Sequence, residues 1–252
     1  MSIPSRRQPR PVAPKADHAD PARSRKDALP APFPRDGMPR RADATREKLL
    51  IAAHELLRER VGGPASVNDI CTRAGANVAM VKYCFGSKDA MISALIERIV
   101  GGFVRELEAL DARNMSASDK LRIHVAEIVR NYVRYPYLNR VLSAQMFETG
   151  AKGAASLSRH FAIPARDWYR RLLAEGRKAG EFRAVDPTLF FFTVIGLAEF
   201  FFTAQPLLRG FAIDKVDATL LDRYIAHVTE MVLHGVQARA APVRATPARR
   251  QV

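Results

Sequence analysis

The chain has little of what most enzymes and secreted domains are built on. It has two cysteines and one tryptophan in 252 residues. Two cysteines cannot make a disulfide framework, so Cys71 and Cys84 suit a reducing compartment, and a cytoplasmic location is expected. The six histidines are scattered and no Cys-x-x-Cys pair occurs, so no metal or other cofactor is expected. Gly-rich phosphate loops, GxSxG and HExxH are all missing, which argues against an enzyme. No convincing β-alternation and no internal repeat is seen. A leader peptide is not expected either: residues 1–44 are rich in Pro and Arg and hold no apolar run. The one long hydrophobic stretch, Leu189 to Leu208, contains Glu199 and Pro206. It reads as a buried helix and not as a membrane span.

Acidic residues are also scarce. Lys and Arg number 40 against 26 Asp and Glu, a net charge of +14. Such an excess favours a polyanionic partner, nucleic acid before a membrane surface. Much of it sits at the ends. Residues 1–44 carry ten basic and five acidic side chains, and residues 238–252 carry four basic and none acidic. Neither end has the apolar content to build a core, so both are expected to be disordered. Arg40 and Arg41, just before the first helix, are candidates for a minor-groove contact or simply for a solvated tail.

The densest information lies in Ser66–Lys88, SVNDICTRAGANVAMVKYCFGSK. Ser66 caps a helix. Val67, Ile70, Cys71 and Ala74 give it a buried stripe. Gly75 supplies the left-handed residue that ends it. Asn77 caps a second helix with Ala76, Val81 and Phe85 turned inward. Val78, Ala79, Lys82 and Tyr83 remain outside, where a major groove could take them. Gly86 closes that helix, Ser87 caps the next, and Lys88 sits in its first turn. Upstream, Thr45 caps a helix with Leu49, Leu50, Ala52, Ala53, Leu56 and Leu57 on one face. Gly62, Gly63 and Pro64 break it. The result is a three-helix unit with a helix-turn-helix. Cys84 falls near its DNA face, where a thiol sensor and a plain packing role both stay open.

These residues resemble the TetR-type transcriptional regulators. The resemblance rests on Thr45-Arg46-Glu47, Ser66-Val67, Ile70, Ala74-Gly75, Tyr83, Phe85, Ser87 and Lys88, about fifty residues without a gap. Lys82 and Cys84 depart from the family pattern, so the DNA sequence recognised cannot be read from it. The resemblance implies an all-α protein: a DNA-binding domain over 45–90, then a helical effector-binding and dimerisation domain over 91–237. It implies a homodimer on double-stranded DNA, responsive to a small molecule, most often as a repressor. Base-edge contacts are expected from Val78, Ala79, Met80 and Lys82, with Asn68 joining them. Phosphate contacts are expected from Ser66, Asn77, Tyr83 and Lys88.

Beyond Lys88 the pattern is helical. Helices are expected over Ser87–Leu110, bent or weakened at Gly101-Gly102, over Ala117–Arg134, from Pro136 to Thr149, and over Leu157–Ala179, with a disturbance at Pro164. The segment GAKGAAS reads as a loop. Two more helices follow, from Pro187 and from Asp214 or Asp217. As the family's last two helices they would form a four-helix dimer interface through Phe191, Ile195, Ala198, Phe202, Leu221, Tyr224, Val228 and Met231. Phe103, Met146, Phe147, Trp168 and Phe192 are candidates for an effector cavity suited to an apolar or aromatic ligand, or else plain core. The competing readings are a small-molecule binding protein, a transcriptional activator with the same head, and a membrane-surface protein held by its basic ends.

Overall fold

Apolar residues at helical spacing recur along nearly the whole chain, and the computed structural model folds as that pattern requires. It describes residues 29–31, 40–60, 63, 65–148 and 150–238. Among these there is no strand; Phe182 and Gln237 form a lone antiparallel bridge. The helices, in chain order, are α1 Arg40–Glu59, α2 Val67–Ala74, α3 Ala79–Phe85, α4 Lys88–Asp111, α5 Ala117–Arg134, α6 Leu138–Glu148 and α7 Gly150–Leu157. A π-helical turn, Ser158–Ala162, leads into α8 Ile163–Lys178. Then come α9 Pro187–Thr203, a short α10 Gln205–Leu208, a 3-10 turn Arg209–Phe211 and α11 Ala218–Val236.

Caps fix most of the boundaries. Ser87 Oγ accepts from Ala90 N–H at 3.0 Å, and Asp186 Oδ1 accepts from Thr188 and Leu189 N–H. Asp217 does the same for α11, through Leu220 N–H. Helix α5 is capped twice. Ser116 Oγ takes Asp119 N–H, and the distant Glu181 carboxylate takes Ala117 and Ser118 N–H. Burial disfavours that carboxylate's charge, but the Ser118 and Ala117 donors outweigh it and hold Glu181 below its usual range. An anion at a helix N-terminus also answers the helix dipole.

Several expectations need correction. Helix α1 begins at Arg40 and not at a Thr45 cap, so Arg40 and Arg41 belong to its first turn. Leu29–Ala31, expected to be disordered, lies packed against the protein. Residues 1–28, 32–39 and 239–252 lie outside the described residues. GAKGAAS is helical, as α7. Its alanines favour a helix more than its two glycines oppose it. Helix α4 runs through Gly101-Gly102 unbroken. The disturbance expected at Pro164 falls just before it, as the π turn. Pro164 itself sits in the first turn of α8, where its missing N–H costs nothing.

Two large apolar clusters share α4, and a small third one joins Val129, Ala198 and Ile225. The first joins Leu49, Ala53 and Leu56 of α1 and Ile70 of α2 to Met91, Leu95, Ile96, Ile99 and Val100 of α4 and to Tyr135 and Tyr137. The second joins Leu107 and Leu110 of α4 to Leu121, Val125, Trp168, Tyr169, Leu172, Phe190, Phe191, Val194, Val228 and Val232. Near its C-terminal end, α8 closes on Phe182. A Cβ on Gly176 would stand 2.2 Å from Phe182 Cδ2, so only glycine admits that ring.

No single described helix is long and apolar enough to cross a membrane, and the run from Pro187 to Phe211 is bent by 63° at Ala204. Glu199, the charge inside it, accepts from Asn139 Nδ2 at 2.8 Å.

One buried polar contact pins the first cluster. His54, 3 % exposed, shares a 2.7 Å hydrogen bond through Nδ1 with the Tyr137 hydroxyl. Burial pushes that phenol's pKa up, so it stays neutral. Tyr137→Phe leaves a buried imidazole nitrogen without this partner and is expected to cost about 1–3 kcal/mol. Urea denaturation, with equal m-values for the two proteins, measures it.

Candidate nucleic-acid interface and effector region

The turn between α2 and α3 is built by three short-range devices. Ser66 and Asp69 form a reciprocal capping box: Asp69 N–H donates to Ser66 Oγ at 3.1 Å, and Ser66 N–H donates to Asp69 Oδ2 at 3.3 Å. Arg60 adds a 2.6 Å ion pair to Asp69. With Ser66 it holds that carboxyl below its ordinary range, the Arg60 hydrogen bond contributing most. Gly75 takes φ 61°, ψ 37°, and its N–H and that of Ala76 close the end of α2. Asn77 Oδ1 accepts from Ala79 N–H at 2.9 Å and starts α3. Arg73 clamps the unit to α1 through two hydrogen bonds to Glu59, at 2.5 and 2.7 Å.

Helix α3 is therefore held with a fixed face outward. Val81 and Cys84 are buried. Val78 is 48 % exposed and Tyr83 66 %, and Ala79 and Lys82 are also exposed. Asn68 lies exposed on α2. Lys88 is half-buried in the first turn of α4, beside the Ser87 cap. The residues expected to face outward on α3 are thus exposed, with refinements. Met80 is half-buried and packs against the first apolar cluster. It leans inward because it stands one turn before the buried Cys84, on the same face of the helix. Ser66 and Asn77 are exposed, but their side-chain oxygens already serve as caps. The Ser66 N–H is engaged as well, in the capping box. Phe85 carries the Arg46 guanidinium 4.7 Å above its ring, which braces α3 on α1.

Cys84 does not lie on the outer face. It is 8 % exposed and its thiol points at the Ala42 carbonyl, 3.9 Å away. Burial pushes the Cys84 and Cys71 thiols upward, away from the thiolate a redox sensor needs.

The candidate effector residues scatter. Trp168 is 1 % exposed and its indole Nε1 has no hydrogen-bond partner. Phe103 is half-buried against Tyr135 and Phe161. Met146, Phe147 and Phe192 point outward, Phe147 with 83 % of its surface exposed, so these three line no interior site. The aromatic group around Trp168 instead includes His124, Tyr169, Phe190, Phe191 and Phe161, which a sequence scan had no reason to single out together. His124 meets the Trp168 ring at 4.6 Å and hydrogen-bonds the Tyr169 hydroxyl at 2.7 Å. Two open hollows lie apart from this group. One of about 570 Å³ runs between α5 and α11. One of about 540 Å³ is lined by α1, α4, the π turn and Pro164.

The candidate interface residues on α9 and α11 also divide. Phe191, Ala198 and Val228 are buried in the chain's own clusters. Ile195, Phe202, Leu221 and Tyr224 are half-buried; Phe202 stacks on Tyr132, and the Tyr224 hydroxyl donates to the Leu197 carbonyl. Of the expected set, Met231 alone lies on the surface. The outward stripe of α9 is Leu189, Phe192, Gly196 and Phe200, one residue or so round from the one expected. Helix α9 is apolar on all sides, so periodicity alone cannot say which side faces its own core.

A helical head with an exposed α3, joined through a shared helix to an aromatic helical body, is the architecture of a ligand-type transcriptional regulator. Similarity to known proteins agrees. Residues 114–241, half of the chain, match the model of the tetracyclin repressor-like C-terminal domain. The chain belongs to the TetR family of transcriptional regulators, which are not enzymes. It is similar to the HTH-type transcriptional repressor NicS of Pseudomonas putida, 25% identical over 199 residues, covering 78% of this chain and 94% of that one. Its fold is that of a TetR/AcrR-family regulator from Thermobifida fusca, with TM-score 0.60 and 23% identity over 75% of this chain and 97% of the other. It is also that of FadR from Bacillus subtilis in complex with stearoyl-CoA, with TM-score 0.60, 18% identity, and 76% and 99% covered.

His124 gives the body a pH signature. Part of the residue reaches the surface, but burial against Trp168 and Tyr169 lowers its pKa from 6.5 to about 3. The unfolded chain takes up that proton near pH 6.5, while the folded one refuses it until near pH 3. Stability is therefore expected to fall as pH drops from about 6.5 toward 3. His124→Gln should make the loss shallower, measured by urea midpoints at about pH 7 and pH 5.

Proposed function

We propose that the protein is a homodimeric repressor that binds a palindromic duplex operator through α3 and releases it when a small apolar or aromatic molecule binds the helical body. The observation that carries this is the outward set Val78, Ala79, Lys82 and Tyr83 on a helix fixed at both ends. A rigid helix with small and cationic side chains outward can enter a major groove without clash. Lys82 can donate to guanine O6 and N7. Lys88 and the first backbone N–H groups of α4 offer a phosphate site. The repressor sense follows the similarity to NicS. The same head would also serve an activator.

Dimerisation is supported by the stripe on α9. Leu189, Phe192 and Phe200 are each about two-thirds exposed. Gly196 and, on α11, Gly235 have open space within 4 Å of the point where a Cβ would stand, so a second copy's helices can approach closely there. An apolar stripe of this kind rarely stays in water. Phe200→Asp is expected to give a monomer at micromolar concentration, read by light scattering, with Phe147→Asp as the unaffected control.

Effector control is supported by the buried, unpartnered Trp168 N–H and by a continuous series of ring contacts. It runs from Trp168 and Tyr169 through Phe191, Phe161, Phe103 and Tyr135 to His54 of α1, neighbouring centroids lying 5.3 to 6.4 Å apart. Phe161 lies in the π turn, an irregular step of a kind often found at functional sites. Solved neighbours of the same fold hold stearoyl-CoA, which has a long acyl chain, and triclosan, which has two aromatic rings. An effector acts only if it favours the DNA-incompetent dimer.

The deciding experiment is selection from a random duplex pool, followed by footprinting. Lys82→Ala is expected to cost about 1–3 kcal/mol and relax one base position. Lys88→Ala should weaken all duplexes alike and reduce the salt dependence. A protein that recovers no preferred duplex at physiological salt refutes the reading.

A further inference from the structure

The segment before α1 touches the molecule at one described place. Leu29 packs against the first apolar cluster. The Pro30 carbonyl accepts from Arg98 Nε at 2.5 Å, and the Ala31 carbonyl accepts from Arg105 Nη2 at 3.1 Å. Both arginines stand on α4, and Gly102 lies between them. A Cβ on Gly102 would come within 2.5 Å of Pro30 Cγ and 2.8 Å of Pro30 Cβ. The proline ring therefore rests on bare helix backbone, in a seat that any other residue at 102 would fill.

Arg98 makes this contact matter for the head. It is 6 % exposed, and its other arm pairs with Glu47 of α1 at 2.6 Å. One planar guanidinium thus ties α1, α4 and the Pro30 carbonyl together. A lysine has no fork to span them. A buried cation needs all of its partners, since an unmet N–H at this depth is costly. Without the Pro30 carbonyl, Arg98 loses the acceptor at Nε, and its hold on Glu47 loses its brace. Helix α1 is the platform on which α3 is mounted, through Arg46 over Phe85.

We infer that Leu29–Ala31 is a strap that fixes the α1–α4 angle, so that residues which never touch DNA set the presentation of α3. This rests on the DNA-binding reading above. It assigns a positioning role to Pro30, Arg98 and Gly102. It also gives Gly102 a role other than the bend expected at Gly101-Gly102: the missing side chain serves close approach.

The test uses the full chain with Gly102→Ala, Pro30→Gly and the double substitution. Each protein is measured for its thermal midpoint and for affinity to the duplex recovered by selection. Alanine in mid-helix is by itself stabilising. If the strap were not seated in solution, Gly102→Ala would raise the midpoint and leave DNA affinity alone, and the inference would be wrong. With the strap seated, Gly102→Ala is expected to lower the midpoint by several degrees and weaken DNA binding about fivefold to tenfold. Pro30→Gly removes both colliding atoms, so the double substitution should recover most of each loss. A midpoint that falls and recovers while affinity stays constant would show a docked segment with no positioning role, and would also overturn the inference. If no protein, wild type included, binds any duplex, the DNA-binding reading fails first. The midpoints alone would then report whether the strap is seated.

Discussion

Helix α4 is the member on which the rest depends. A 24-residue helix is about 36 Å long, and this one is packed at both ends into different cores. Leu95, Ile96 and Ile99 bury against α1, while Leu107 and Leu110 bury against α5 and α8. The head therefore cannot change its angle without disturbing one cluster or the other. The Arg98–Glu47 pair, with its cation buried and its carboxylate half-buried, reinforces this between α1 and α4. Such a pair is weak as a source of stability but costly to separate, and so it fixes geometry more than it adds free energy.

The same constraint links the ring-rich body to the head, since α4 is packed in both clusters. The clusters are close-packed, and close-packed groups shift between discrete arrangements instead of deforming smoothly. The π turn at Ser158–Ala162 is the irregular element in the series of ring contacts, and it carries Phe161 between Phe103 and Phe191.

Local chemistry wrote the head into the sequence almost residue by residue. Ser66, Gly75, Asn77 and Ser87 act within three or four residues of themselves, so their caps and the left-handed turn were legible without any knowledge of the fold. Helix α9 was legible from Pro187 at its first turn, and α11 from Asp217, one of the two aspartates that could open it. Where two local signals competed, the reading failed. The glycines of GAKGAAS suggested a loop, and its alanines made a helix. Thr45 looked like a cap, yet α1 starts five residues earlier. Cys84 was placed by analogy with a face, and the fold turned it inward beside Ala42.

What the sequence alone determined, then, is most of the helices, the caps of the head's second half, the helix-turn-helix and the outward set on α3. Each follows from interactions within one or two helical turns. Tertiary structure decided which side of an all-apolar helix faces home. Phe191 and Ala198 went into the chain's own core and left Phe192 and Phe200 outside, because packing against α5 and α8 chose the face and periodicity could not. It also decided that Gly102 seats a proline seventy-two residues away in the chain, and that Arg98 divides its fork between Pro30 and Glu47. Contacts between distant segments leave no local signature. They exist only once the chain has folded far enough to bring both partners out of water.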